Sequence, residues 1–219
     1  MPRRSYDQYC AVARALDAVG DRWTLLVARE LLAGPRRYTD LHADLPGVST
    51  DMLATRLKDM ERDGLAERRR LPAPASAYVY ELTERGRGLL PVLRALGEWG
   101  APELAERRPT DAVRAHWLAL PLSRQLEELG ERGAVEFRVD EGVFHVRVGA
   151  PAGGSTGGEP VYGDGAYPDG EPDARLTLDE EVCAEVARGA VGLVEAVRGG
   201  RVTVAGEGAL AKALRAGTS

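Results

Sequence analysis

Few residues of this 219-residue sequence have the types and spacing that catalysis requires. Residues 153–157 match the G-x-S-x-G pattern of a hydrolase nucleophile, but that pattern needs a strand before the serine and a helix after it, and neither is predicted here. His42, His116 and His145 are scattered along the chain, and there is no C-x-x-C pair, P-loop or G-x-G-x-x-G pattern. We therefore expect no metal, no cofactor and no enzymatic activity.

Another group of polar residues has a spacing that favours recognition of an anionic polymer. Ser49 is a good N-cap for a helix that ends near Gly64, and the apolar residues of that helix recur at helical spacing. Its opposite face is polar: Asp51, Thr55, Lys58 and Arg62. Such a helix fits the major groove of DNA, where its free N-terminal amide groups can donate to phosphate oxygens.

Three consecutive arginines follow that helix. Arg68, Arg69 and Arg70 lie in a strand-like run, residues 65–71, which a Pro-rich loop separates from a second run, residues 77–83. Arginines on a hairpin can neutralise the charge of a DNA backbone. The alternative is a structural helical core with a solvated basic hairpin.

The elements that must position these residues are predicted from hydrophobic spacing and from turn residues. The first half has helical segments near residues 12–19, 23–31, 39–45 and 49–63, then the hairpin, then a helix capped by Thr83 that Pro91 kinks or delays. A short helix, a tight break at Pro46 and Gly47, a second helix and a hairpin together predict a winged helix-turn-helix.

The second half predicts a small α+β unit. We expect helices at 111–120, ended by Pro121, and at 123–129, a β-hairpin around 135–148, and a long loop at 151–172. A strand near 176–178, helices at 180–188 and 191–198, a strand at 202–204 and a helix at 209–214 complete it. The predicted fold class is therefore α+β with two domains, residues 1–109 and 110–219.

The first domain resembles the HxlR-type winged-helix transcriptional regulators over residues 9–100. The resemblance is carried by CAVARALDAVGDRWTLL at 10–26, RYTDL at 37–41, VS at 48–49, ML at 52–53, Leu57, DGL at 63–65 and YELTERG at 80–86. It implies a homodimer, paired through the first helix and the helix that follows Thr83, on a roughly palindromic double-stranded DNA operator.

The resemblance also implies which residues meet DNA. Bases or phosphates would be contacted by Ser49, Thr50, Asp51 and Thr55, and the DNA backbone by Arg37, Lys58 and the three wing arginines, Arg68, Arg69 and Arg70. Thr39 is a further candidate for DNA binding. Asp51 departs from the family, which usually has a basic or amide residue there. A carboxylate near phosphate opposes binding unless it accepts a hydrogen bond from a cytosine amine.

Cys10 occupies the position of the cysteine with which some HxlR-type members sense oxidants or electrophiles. A thiol just before a helix, with Arg14 one turn further on, favours a lowered pKa. The alternative is a small buried apolar residue at the dimer interface.

The second domain resembles the sterol-carrier-protein-like fold, in which a curved sheet and helices enclose an apolar tunnel. The matching segments are residues 144–148, 172–178, 182–189, 200–207 and Leu210. The candidate lining of a site for a small hydrophobic effector is Trp117, Phe137, Phe144, Val146, Leu176, Leu178, Val182, Val186, Val194 and Val197. Each of these residues can equally belong to an ordinary core, because cores and apolar pockets use the same residue types.

Charge and composition set limits on the partners. Residues 1–109 carry 18 Lys and Arg against 16 Asp and Glu, whereas residues 110–219 carry 11 against 18, so only the first domain suits DNA. No apolar run is long enough to span a membrane, and two cysteines fit a cytoplasmic protein. The alternatives to a regulator are a lipid or small-molecule carrier whose helical domain only dimerises, and an enzyme acting on such a molecule.

Overall fold

The computed structural model describes residues 5–140, 142–149 and 160–217. The G-x-S-x-G match at 153–157 lies outside these described residues. The chain forms two units, which divide between Leu90 and Pro91 at the start of a helix. The functional boundary near residue 109 stays a prediction, since this division follows packing alone.

The first unit contains the predicted helices and the predicted hairpin. Its elements are α1 (Ala11–Val19), α2 (Thr24–Leu32), α3 (Tyr38–Asp44), α4 (Thr50–Arg62), β1 (Ala66–Arg70), β2 (Tyr78–Leu82) and α5 (Glu84–Arg87). Leu41, Leu53 and Leu57 are fully buried, and they join α3 and α4 to the core of the unit. Gly64, at φ +67°, lets the chain leave α4 and enter β1.

The hairpin of β1 and β2 is antiparallel, and its register pairs Ala66 with Leu82 and Arg70 with Tyr78. A third short segment joins it through Arg36, whose N–H donates to the Tyr80 carbonyl at 3.0 Å and whose carbonyl accepts from the Tyr80 N–H at 2.8 Å. The chain just before α3 is therefore fixed to the hairpin.

The root of the hairpin is closely packed. The Thr83 hydroxyl donates to the Gly64 carbonyl at 2.6 Å and accepts from the Gly86 N–H at 3.1 Å, while the Thr83 N–H donates to the Leu65 carbonyl at 3.1 Å. A side chain at Gly86 would collide with that same Leu65 carbonyl. Only glycine fits where α5 meets the start of β1.

The second unit is α+β, as predicted. Its elements are α6 (Leu90–Gly100), the 3-10 helices Ala101–Ala105 and Ala115–Leu118, α7 (Ala119–Glu127), β3 (Gly133–Val139), β4 (Gly142–Val148), β5 (Tyr162–Asp164), β6 (Ala174–Thr177), α8 (Glu180–Ala187), α9 (Leu193–Arg198), β7 (Thr203–Ala205) and α10 (Ala209–Ala216). The strand order is β5-β4-β3-β6-β7, with β3 and β6 parallel and the other neighbours antiparallel. Helices α7 and α10 pack against this sheet.

Two predictions for the second half were wrong. Pro121 does not end a helix but lies in the first turn of α7, where a missing N–H breaks no hydrogen bond, so the helices expected at 111–120 and 123–129 are replaced by one helix and a preceding 3-10 turn. The 151–172 stretch was expected to be a loop throughout, yet β5 lies within it, because Tyr162 and its neighbours pair with β4.

No helix in the part of the chain that the structure describes is long and apolar enough to cross a membrane.

Candidate nucleic-acid interface

Helix α4 presents the polar face that its sequence predicts. The Ser49 side-chain oxygen caps the helix by accepting a hydrogen bond from the Met52 N–H at 3.2 Å. Thr50, Asp51, Thr55 and Lys58 are all exposed. The buried leucines on the opposite side fix the rotation of the helix, so this polar face points to solvent.

Helix α3 holds the N-terminus of α4 in place. The Tyr38 hydroxyl donates to the Thr50 carbonyl at 2.7 Å, which links the first residues of the two helices. The Thr39 hydroxyl donates to Asp40 at 3.2 Å, and the Arg37 N–H donates to the same carboxylate at 3.3 Å. The Arg37 side chain itself is exposed at the start of α3.

Several cations of the first unit are already neutralised. Arg56 pairs with Asp21 at 2.9 Å and with Asp59 at 3.1 Å, and Arg62 pairs with Asp59 at 2.6 Å. In the described ranges no ion pair holds Arg37 or Lys58. On α4 and at the start of α3, these two side chains therefore have charge to offer a phosphate.

The three wing arginines do not share one face. Side chains alternate along a strand, so Arg68 and Arg70 lie on one side of the hairpin and Arg69 on the other. Arg68 stacks over the Tyr78 ring, with its guanidinium carbon 3.9 Å from the ring centroid. Arg69 is hydrogen-bonded to Glu81, and this contact raises the pKa of Arg69. The structure thus separates one arginine from the other two.

Cys10 is exposed at the N-cap position of α1, and its thiol makes no capping hydrogen bond. Arg14, one turn on, lies 3.9 Å from Asp17. Cys183, by contrast, is buried in α8.

The candidate effector-binding residues fall into two groups. Seven are buried in the core of the second unit: Phe137, Phe144, Val146, Leu176, Leu178, Val182 and Val186. The rings of Phe137 and Phe144 stack almost parallel, with centroids 4.8 Å apart. The other three, Trp117, Val194 and Val197, are only half-buried.

Sequence reasoning missed a polar cluster on the other face of the sheet. Glu136 and His145 are paired across β3 and β4 and are buried. Burial raises the pKa of Glu136, but hydrogen bonds from the Tyr167 N–H and from Arg138 outweigh it and lower the pKa overall. In each strand these residues alternate with apolar residues, so they lie on the opposite face of the sheet, which the sequence predicts to be exposed. Their burial depends on residues 165–171, which cross this face.

Burial also lowers the pKa of the His145 imidazole, so the ring is neutral at pH 7. Its Nδ1–H donates to the Gly165 carbonyl at 3.1 Å, and Nε2 accepts from Arg147 at 3.2 Å. Arg147 in turn pairs with Asp169 at 2.7 Å. Each side chain named in this cluster makes at least one hydrogen bond or ion pair, which is typical of a structural network.

A capped recognition helix, the short helix that precedes it and an arginine-bearing hairpin define a winged helix-turn-helix of a DNA-binding transcriptional regulator. The chain belongs to the HxlR-like helix-turn-helix family, whose model matches residues 18–108.

Two curated relatives illustrate the match. The uncharacterised HTH-type transcriptional regulator YvaP of Bacillus subtilis is 34% identical over 86 residues, which are 39% of this chain and 80% of YvaP. The HTH-type transcriptional regulator YodB of Bacillus subtilis is 35% identical over 99 residues, 45% of this chain and 86% of YodB. The solved reduced form of YodB is 33% identical with a TM-score of 0.39, and the match covers 42% of this chain and 92% of that chain. The family assignment rests on the sequence relationship.

Proposed function

We propose that the protein is a homodimeric regulator that docks two α4 helices on a roughly palindromic operator. The observation that carries this proposal is the exposed polar face of α4. Among the described residues, Lys58 on this face and Arg37 at the start of α3 make no ion pair, so their charges are available to phosphates. Bases or phosphates would be met by Ser49, Thr50, Asp51 and Thr55, and the DNA backbone by Arg37, Thr39, Lys58, Arg68 and Arg70. Two such helices in successive major grooves lie about 34 Å apart.

Two helices expose apolar side chains that suit the pairing of two chains. On α1, Val12 and Leu16 are exposed at a spacing of four residues, and Tyr9 just before the helix is fully exposed. On α6, Val92, Leu96 and Trp99 are exposed at spacings of four and three residues, which place them on one side of a helix. Apolar rows of this kind on single helices are typical of protein–protein interfaces. We assign both rows to the dimer, with α6 counted in a functional domain that extends to about residue 109.

The second unit is proposed to be a sterol-carrier-protein-like domain that binds a small apolar effector. An apolar sheet face packed by helices supports this, and the half-buried Trp117, Val194 and Val197 are the lining candidates that a ligand could reach without opening the core. Effector binding would change the spacing of the two α4 helices and thereby operator affinity. Oxidation at the exposed Cys10 is the second proposed input, because that thiol lies at the start of a proposed dimer helix.

The test is a gel shift with the DNA upstream of the protein's own coding region, with light scattering for the oligomeric state. We expect a dimer that shifts this DNA, and at least tenfold weaker binding when Thr55 and Lys58 are both changed to Ala. The exposed Lys212, on α10 of the second unit, provides the matched control, and Lys212→Ala should bind like the wild type. A monomer, or a dimer without DNA affinity, would refute the proposal.

Native mass spectrometry of the purified protein tests the effector site. We expect an apolar small molecule bound to the wild type and less of it on Trp117→Ala. Equal occupancy in the two proteins would remove Trp117 from the site.

A further inference from the structure

The N-terminal end of α2 is anchored to one side of α4. Asp21, just before α2, forms an ion pair with Arg56 of α4 at 2.9 Å. Arg56 also pairs with Asp59, which lies one turn further along α4. The Arg56 side chain is 16% exposed and the Asp21 side chain 35% exposed, so the ion pair is partly shielded from solvent. Asp21 is therefore fixed beside the recognition helix.

Trp23 is tied to Asp21 and lies near the turn before α4. Its backbone N–H donates to the Asp21 side chain at 3.0 Å. A Cβ atom added at Gly47 would be 4.0 Å from the indole Cη2, so the Trp23 ring lies near that turn. Asp21 thus links residue 23 to the side of α4.

Arg22 lies between Asp21 and Trp23. Its side chain is exposed, and its guanidinium carbon is 5.6 Å from the centroid of the Trp23 ring. No ion pair holds Arg22 among the described residues, although its neighbour Asp21 shares Arg56 with Asp59. The chain therefore holds an exposed arginine with no ion pair of its own next to a residue that contacts the side of the recognition helix.

We propose that Arg22 is a further phosphate-contacting residue of the DNA interface. A helix in the major groove lies between two sugar–phosphate backbones, and residues at its sides reach phosphates rather than bases. The planar guanidinium can donate two hydrogen bonds to one phosphate. Its position over the Trp23 ring limits the conformations of the Arg22 side chain before DNA binds. This inference rests on the proposed docking of α4, and it adds a contact from outside the helix-turn-helix and the wing.

The experiment compares the salt dependence of DNA binding for the full-length wild type, Arg22→Ala and Arg22→Lys. Loss of one phosphate contact makes the negative slope of log K against log salt shallower by about 0.9, so the affinity advantage of the wild type should fall about 3.5-fold when salt rises fourfold. Because a phosphate contact carries no sequence information, the same decrease should occur on the upstream DNA and on a scrambled duplex. Arg22→Lys should keep the wild-type slope.

Three results would overturn the inference. One is an unchanged slope for Arg22→Ala while the wild type binds DNA, which leaves the proposed function intact. Another is an affinity loss that is equal at all salt concentrations and accompanied by a lower melting temperature, since that would assign Arg22 to the packing of Trp23. A wild type without salt-dependent DNA binding would refute the docking of α4 together with this contact.

Discussion

Arg69 and Glu81 form a two-point ion pair across the wing: Arg69 Nε donates to Oε1 at 2.6 Å and Nη2 to Oε2 at 3.1 Å. The pair lies on the opposite side of the hairpin from Arg68 and Arg70. A guanidinium whose charge is already balanced releases few DNA counterions when the protein binds. The three adjacent arginines are therefore expected to contribute unequally.

Changing Arg68 and Arg70 together to Ala should make the negative slope of log K against log salt shallower by about 1.8, because two phosphate contacts are lost. Fluorescence anisotropy over a salt series measures it. The control is the neutral double change of Arg69→Ala with Glu81→Ala, which should leave the slope unchanged. A decrease in the control as large as in the first variant would show that the ion pair opens on DNA.

Ser49→Ala should destabilise the first unit by about 1 kcal/mol, because the Met52 N–H loses its capping acceptor. Ser49→Gly should cost only a few tenths of a kcal/mol, since glycine is tolerated at N-caps. Urea unfolding of both variants measures the difference. Equal stability of Ser49→Ala and the wild type would show that the cap contributes nothing.

Asp51→Asn should tighten DNA binding about fivefold at low salt, since two unit charges 4 Å apart in water interact by about 1 kcal/mol. The same change should destabilise α4 by about 0.3–1 kcal/mol, because an acid in the first turn interacts favourably with the helix dipole. Affinity and unfolding measurements on one variant test both effects. Weaker binding of Asp51→Asn would instead indicate that the carboxylate accepts a hydrogen bond from a cytosine amine.

The second unit should lose stability as the pH falls below about 6.5, the ordinary pKa of histidine. Burial lowers the pKa of His145, and the positive charge of Arg147 lowers it further. The hydrogen bond to Gly165 and the charges of Asp169 and Glu136 oppose this shift, but the pKa remains lowered overall. The unfolded chain therefore binds the proton first, and stability falls from the unfolded pKa down to the lower folded pKa.

His145→Gln should remove most of this pH dependence, which urea unfolding at pH 7 and pH 5 measures. The lowered pKa of Glu136 acts in a more acidic range, where stability is lost as the pH falls below the ordinary glutamate pKa towards the folded value. An identical decrease between pH 7 and pH 5 in the wild type and His145→Gln would assign the effect to other groups.

Cys10 should react with iodoacetamide much faster than Cys183 in the native protein, because Cys10 is exposed and Cys183 is buried. Mass spectrometry of peptides after short labelling times measures the two rates. In urea the two rates should converge. Native rates that are already equal would end the proposal that Cys10 senses oxidants.

The sequence predicted those parts of the fold that local signals specify. Ser49 and Gly64 delimit α4 by capping and by a positive φ, and both act within a few residues of their own position. The start of α6 at Leu90, just before Pro91, follows from the same local rules. The polar face of α4 was predictable because it follows from helical spacing alone.

Contacts between distant residues could not be predicted in this way. Glu81 is 12 residues from Arg69, so nothing local shows that the middle arginine of the wing is neutralised. Glu136 and His145 alternate with apolar residues and so predict an exposed face, until residues 165–171 cover it. Arg22 belongs to no sequence pattern that marks it, and its place near α4 follows from the ion pair that its neighbour Asp21 makes with the distant Arg56.

The absence of a Cβ at Gly86 limits how a signal can reach DNA. The α5 turn lies directly on the Leu65 carbonyl at the root of the wing, and the Thr83 hydrogen bonds lock the same junction. We therefore expect the root of the hairpin to resist bending relative to the recognition helix. A proposed effector or oxidant would then act by changing the spacing of the half-sites that the two chains reach, rather than by moving the wing alone.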